Sequence, residues 1–238
     1  MPTLPRWIGL AAACLISSAA VAADTVADYV DHYLDMFPSR ATAAGRYASD
    51  DRLEQLAGRR RARCIAYNES SVIAVQTELK GNAESARRID LELLQRQIEQ
   101  ELLEWRDGDR PRNDPLFWAE PLSQATLYLV LRQDRPAGER LTLAARRTEG
   151  IPRLVDQALT ALADADPSRV VPQQAAEAAT RLRALAGFYR DGLPKAQGAS
   201  AGIKSRLQKA GVIAARAIEK LAVRADELAA AGTADFRL

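Results

Sequence analysis

The chain holds one histidine in 238 residues, His32. It has no His-Glu-x-x-His and no Cys-x-x-Cys. A zinc hydrolase takes two or three imidazoles or thiolates from its protein, and this sequence cannot supply that set. A Ser-His-Asp triad would have only His32 to use. Aromatic residues are scarce, at 5%. The apolar-polar alternation that marks strands is nearly missing. A one-signed charge is missing too: 33 Lys and Arg stand against 31 Asp and Glu, for a net charge of +2. Nucleic-acid binding needs a basic excess, so a nucleic-acid partner is not expected. The run Arg59-Arg60-Arg61-Ala62-Arg63 is the local exception. Asp50, Asp51, Glu54 and Glu69 flank it, which reads as a solvated helix face.

What is present begins with an export signal. Arg6 forms a short basic region, Trp7 to Ala19 an apolar run, and Ala20-Val21-Ala22 a small-x-small cleavage site. The run is shorter than the roughly 20 residues of a membrane span. Residues 1–23 are therefore expected to leave as a signal peptide. The mature chain, 24–238, would begin near Ala23 or Asp24, in the periplasm and with no membrane attachment. Cys14 offers the other reading, a lipoprotein acylated after Ala11-Ala12-Ala13. Cleavage leaves Cys64 alone, without a disulfide partner. Arg60, Arg61 and Arg63 would lower its pKa, but its place on a helix face beside Ile65 reads as a buried inert thiol. Asn68-Glu69-Ser70 matches a glycosylation sequon, read here as chance.

The rest is helical, giving an all-α fold: a multi-helix array or bundle of long antiparallel helices. Val26, Tyr29, Val30, Tyr33, Leu34 and Phe37 make one stripe over Thr25 to Phe37, ended by Pro38. His32 lies off that stripe and reads as a surface residue. Ser39 caps a short turn, Arg40 to Ala44, closed by Gly45. Ser49, with Asp50 and Asp51 behind it, reads as the cap of a long helix stopped by Gly81. In the next helix, Ala86 to Arg106, Ile89, Leu93, Ile98, Leu102 and Trp105 face inward, with Leu91 and Leu94 widening the stripe. Asp107 to Pro121, with Gly108, Pro111, Pro115, Pro121 and the aromatics Phe117 and Trp118, reads as a break. Helices follow over Leu122 to Leu131, Pro136 to Thr148, Ile151 to Ala163 and Gln173 to Arg190. The last, capped by Ser200, carries a seam: Ile203, Leu207, Ala210, Ala214, Ala217, Leu221, Ala225 and Leu228. A neighbour in the same chain, or a helix of another protein, would cover it.

Phe37-Pro-Ser-Arg-Ala-Thr-Ala-Ala-Gly45 and Asp51-Arg-Leu53 resemble the opening of the bacterial domain-of-unknown-function family 885. Further pieces resemble that family in order. They are Arg88-Ile-Asp90-Leu-Glu-Leu-Leu94, Arg140 to Leu162 with Arg146-Arg147 and Ile151-Pro-Arg-Leu154, Leu193-Pro-Lys-Ala196, and Asp235-Phe-Arg-Leu238. The resemblance implies the N-terminal helical half of a longer protein. In that family the second half carries a His-Glu stretch and a Pro-Gly-His-His element, similar to helical zinc metallopeptidases. None of those metal positions exists in this chain, so no cofactor or catalytic residue carries over.

Three functions fit. The chain is a catalytically empty half, truncated or split; or a stand-alone periplasmic binding or assembly module; or a metal-independent hydrolase using Asp90, Glu92, Glu101 or Glu104, of which Asp90, Glu101 and Glu104 fit one helix face. If the missing half follows Leu238, then Ile203, Leu207, Leu221, Leu228, Phe117 and Trp118 are expected to stand partly open. They would meet a C-terminal-half protein or a second copy.

Overall fold

The computed structural model describes residues 24–81 and 84–235. The signal-peptide segment with Cys14, and Phe236 to Leu238, lie outside the described residues. Among the described residues there are nine α-helices and no strand. They are α1 (Thr25–Met36), α2 (Pro38–Ala43), α3 (Gly58–Lys80), α4 (Ser85–Leu102), α5 (Arg110–Asn113), α6 (Pro115–Leu131), α7 (Ala137–Ala163), α8 (Pro172–Gly187) and α9 (Ala201–Ala231). No described helix is long and apolar enough to cross a membrane.

Helices α6 to α9 enclose the main core. Ion pairs fix their directions. Arg183 with Asp226, and Arg190 with Glu219, set α8 and the turn that follows it antiparallel to α9. Glu149 with Arg206, and the Leu162 carbonyl accepting from Arg224 at 2.8 Å, set α7 parallel to α9. Small residues let the backbones close up: Ala175, Ala178 and Ala179 of α8 face Ala214, Ala222 and Ala225 of α9 within one core. The seam of α9 therefore finds its cover inside the chain. The expectation that its side chains stand open is corrected: Leu207 and Leu221 are fully buried, and Leu228 is 3% exposed. Trp118 is also fully buried and donates from Nε1 to the Pro111 carbonyl at 2.8 Å. Ile203 and Phe117 are half-buried against the same core.

Gly211 shows how close this packing is. A Cβ there would stand 2.1 Å from the Tyr189 carbonyl oxygen, in a π-helical turn over Phe188–Gly192. In an exposed helix Gly→Ala gains about 1 kcal/mol. Here the overlap with fixed backbone outweighs that gain. Gly211→Ala is expected to lose about 2 kcal/mol net, read as a lower urea midpoint. An unchanged or raised midpoint would contradict this packing.

Tertiary contacts also move several helix limits. The Asp107 to Pro121 break is mostly helical: α5 occupies part of it, and α6 starts at Pro115 and runs through Pro121. Asp114 caps α6, its Oδ1 accepting from Leu116 N at 2.8 Å. The two helices expected on either side of Gly150 are one, α7, with Pro152 inside it. A proline inside a helix costs about 3 kcal/mol. The buried stripe Ala144, Thr148, Ile151, Val155, Ala158 and Leu162 continues across it and offsets that cost. The opposite holds before α3. Ser49 ends a 3₁₀ turn, Tyr47–Ser49, and caps no helix. Residues 50–57 stay irregular because their polar groups are engaged elsewhere. Leu56 N donates to Gln157 Oε1 at 2.9 Å, and Glu54 binds Ser39.

A second, smaller core joins α1, α3 and α4 through Tyr29, Val75, Leu91, Leu94, Ile98 and Leu102. Ile89 and Leu93, expected inside, are 60% and 59% exposed. Among the described residues α3, and more lightly α1, pack on α4, and one side of its wide stripe is left exposed. Trp105 closes α4 in a π-helical turn, Leu103–Asp107, and is buried as expected.

Candidate functional site

A narrow cleft of about 30 Å³, room for about one water molecule, lies between α2, the irregular segment before α3, the Leu103–Asp107 turn and α6. Phe37, Trp105 and Phe117 form its aromatic wall, and Glu54, Glu104 and Glu120 its acidic groups. The rings pack edge to face, Phe37 to Trp105 at 6.0 Å and Trp105 to Phe117 at 5.3 Å between centroids.

Local sequence explains the placement. Pro38 starts α2 and turns the chain sharply after α1. Ser39 in the first turn of α2 then faces Glu54. Glu54 Oε1 accepts from Ser39 N at 2.9 Å and also from Ser39 Oγ. Glu54 is 2% exposed, and its Oε2 has no hydrogen-bond partner among the described residues.

Behind Glu54 lies Arg147 of α7, 1% exposed. Its Nη1 donates to the Ala125 carbonyl at 3.0 Å. Its Nη2 lies 3.1 Å from the Pro38 carbonyl, 2.6 Å from Thr42 Oγ1 and 3.0 Å from the Ser49 carbonyl. Burial pushes the guanidinium below its ordinary pKa, and Glu54 and Asp50 oppose that shift. Asp50 is itself buried, 2.7 Å from Thr42 Oγ1 and 3.5 Å from Arg135. One cation thus ties α2, the pre-α3 segment, α6 and α7 together.

Arg40 stands at the mouth. Its guanidinium lies 4.5 Å from the Phe37 ring centroid, 3.2 Å from Glu120 and 3.6 Å from Glu101, and it donates to the Tyr33 hydroxyl. Burial holds the Glu101 carboxyl above its usual range, against the pull of Arg40.

Of the four candidate carboxylates, Glu101 and Glu104 lie close enough for the Glu104 charge to help raise the Glu101 carboxyl, while Asp90 and Glu92 stand apart from them. Asp90 is exposed beside the outer groove between α1 and α4, Glu92 is exposed, and Glu101 is buried near Arg40. Glu104 lies in the π-helical turn and pairs with Arg110 at 3.2 Å. The basic run is less solvated than expected: Arg60 pairs with Asp35, and Arg61 donates to the Trp105 carbonyl at 2.7 Å and to Asp109. That contact supports Asp109 at φ 47°, the one non-glycine residue with positive φ among the described residues.

Cys64 and His32 line one small pocket with Tyr29, Tyr67 and Asn68. No hydrogen bond joins the two among the described residues. Asn68 Nδ2 approaches Cys64 Sγ at 3.6 Å, and Tyr29 donates to Asn68 Oδ1 at 2.8 Å. Burial pushes the Cys64 thiol up to about 12, so it is not a thiolate at neutral pH. His32 is half-buried and stacked on Tyr67, 3.5 Å between centroids, and burial lowers its pKa. It is therefore no simple surface residue. Cys64 is expected to resist an aromatic disulfide reagent in the native chain and to react fully in urea. Prompt native reaction would contradict its burial.

Among the described residues, no group of three or more His, Cys, Asp or Glu is placed to hold a metal. Glu54, Ser39 and Glu120 were not legible as a set, because they lie 15 and 81 residues apart in sequence. Arg147 had a signal: a charge within the apolar stripe of α7, between Ala144 and Ile151.

The family described as "Bacterial protein of unknown function (DUF885)" matches residues 38–237. No curated protein matches the chain. Among solved structures, the chain is similar to a candidate lipoprotein of unknown function from Shewanella oneidensis. The TM-score is 0.67 at 18% identity, over 87% of this chain and 37% of that one. At that identity the likeness is one of fold. The chain spans little more than a third of the length of that structure.

Proposed function

The chain belongs to the bacterial family of unknown function DUF885, and on that premise we propose that it is the helical half of a two-part, metallopeptidase-like protein. By itself it turns over no substrate. A second, His-Glu-bearing domain supplies the chemistry, and this half supplies a rigid wall and a cleft. The observation that carries the reading is the match over 87% of this chain to 37% of a larger protein of the same fold. The single histidine and the protonated Cys64 thiol support it from the side of the chemistry.

The partner face is proposed on the N-terminal helices. Val30, Ile89 and Leu93 are exposed there, and Val30 and Leu93 line one open groove. The same groove favours the second reading, a stand-alone assembly module. Export to the periplasm is proposed from the signal-like N-terminus, with lipid attachment at Cys14 as its alternative.

A hydrolase screen of the purified chain, with and without chelator, is expected to show no turnover. If a neighbouring reading frame encodes the His-Glu half, adding that protein is expected to give a complex and chelator-sensitive activity. Chelator-sensitive turnover by the chain alone would overturn the proposal. A folded complex without activity would favour the assembly module. Intact mass of exported material is expected to show a start near Ala23 or Asp24.

A further inference from the structure

We infer that the pocket between the end of α1 and the start of α3 binds a doubly charged phosphate group through Arg52 and Arg60. The assignment stands apart from the two-part reading above. It begins with the basic run Arg59-Arg60-Arg61-Ala62-Arg63, whose flanking acids the fold commits elsewhere. Asp50 is taken by Thr42 and Arg135, Glu54 by Ser39 and Glu69 by Arg106, while Asp51 lies 3.9 Å from Arg146. Two other carboxylates stand in their place. Asp35 is shared by Arg52 and Arg60, and Asp109 by Arg61 and Arg112. Arg59 and Arg63 are exposed and have no ion pair among the described residues. The run and Arg52 thus carry more positive charge than their neighbours cancel.

Geometry gives that charge a seat. A pocket of about 180 Å³ lies among Asp35, Pro38, Arg52, Leu53, Gln55 and Arg60, with room for several water molecules or one phosphate group. Asp35 holds the two guanidiniums side by side. Arg52 donates from Nη1 and Nη2 to its Oδ1 at 3.1 and 3.0 Å, and Arg60 from Nη2 to its Oδ2 at 3.2 Å. These contacts use one edge of each guanidinium. Nε of Arg52, Nε and Nη1 of Arg60, and the Gln55 amide have no hydrogen-bond partner among the described residues. The two arginine side chains are 47% and 33% exposed, so these donors can be reached from solvent.

Charge and shape select the ligand. A carboxylate repeats what Asp35 already supplies. A doubly charged phosphate answers more of the excess and offers three acceptor oxygens to the open donors, in the fork geometry that suits arginine. A cation would meet the arginines and is excluded. Such a phosphate arrives either on a small soluble ester or on the headgroup of a lipid.

Isothermal calorimetry of the purified chain with glycerol phosphate tests the site. Saturable binding that weakens with added salt is expected, and none with glycerol or acetate. Phosphatidylcholine vesicles with and without phosphatidic acid separate the two sources. Co-sedimentation with the acidic vesicles only, competed by glycerol phosphate, names a lipid headgroup. Calorimetric binding without co-sedimentation names a soluble ester, and either result supports the site. Arg60→Gln is expected to weaken glycerol phosphate about tenfold. Arg59→Gln, at an exposed position beside Arg60, is expected to weaken it severalfold and decides the matter if the first variant fails to fold. Lys220→Gln removes the same charge from an exposed position on α9 and is expected to leave the affinity unchanged. No binding by the wild type in either assay, equal binding of acetate, unchanged affinity in the folded arginine variants, or an equal loss in Lys220→Gln would overturn the assignment.

Discussion

Leu221→Glu is expected to unfold the chain. Leu221 has no exposed surface and sits in the main core, where α9 meets α7 and α8. The substitution removes a buried leucine, worth about 1.5–3 kcal/mol. It also forces a carboxyl group into an apolar site with no partner, which costs about 2 kcal/mol or more even when protonated. The sum is about 5 kcal/mol, comparable to the whole stability of many domains. Far-ultraviolet circular dichroism and urea titration should show a largely unfolded chain. Leu207→Glu is expected to behave alike, because Leu207 is equally buried. Had the seam of α9 been an open interface, the same variants would stay folded and change only association. A folded, cooperative Leu221→Glu would therefore restore the open-seam view and contradict the packing described above.

Arg147→Met is expected to cost about 3–5 kcal/mol, the range for removing one partner from a buried charged network. Methionine keeps much of the volume but none of the donors. The Ala125, Pro38 and Ser49 carbonyls and Thr42 Oγ1 each lose a hydrogen bond. Glu54 and Asp50 lose their shared buried cation. Arg147→Lys is expected to recover only part of the loss, because an ammonium is a point charge and cannot span acceptors on several elements. Thermal and urea unfolding measure both. If Arg147→Met were neutral or stabilising, as some buried ion networks prove on replacement, the cation would not be what joins α2 to the core.

The two variants mark where reading the sequence succeeds and where it stops. The seam of α9 was visible from its spacing alone, because residues three and four apart share a helix face wherever the helix sits. Its cover was not visible. Spacing says that a face must be buried, and whether α8, α7 or another protein buries it depends on the path of the whole chain. The helix ends failed for a related reason. Pro121, Pro152 and Gly150 read as stops because local cost is all a short window contains. A continuous buried stripe across α7 outweighs that cost. Ser49, Asp50 and Asp51 read as a helix start, but Asp50 and Glu54 are engaged by Thr42, Arg135 and Ser39 before any helix can use them.

The sequence by itself determined the all-helical class, the identity of most apolar faces and the shortage of histidine and cysteine, all of which follow from residue type and short-range spacing. Only the tertiary structure decided that α9 is closed within the chain and that Ile89 and Leu93 are left outside. It alone placed Ser39, Glu54 and Arg147 together, across 108 residues of sequence. The physical reason is the range of the interactions: hydrogen bonds along a helix act over four residues, whereas burial and ion pairing act between whatever the fold brings into contact.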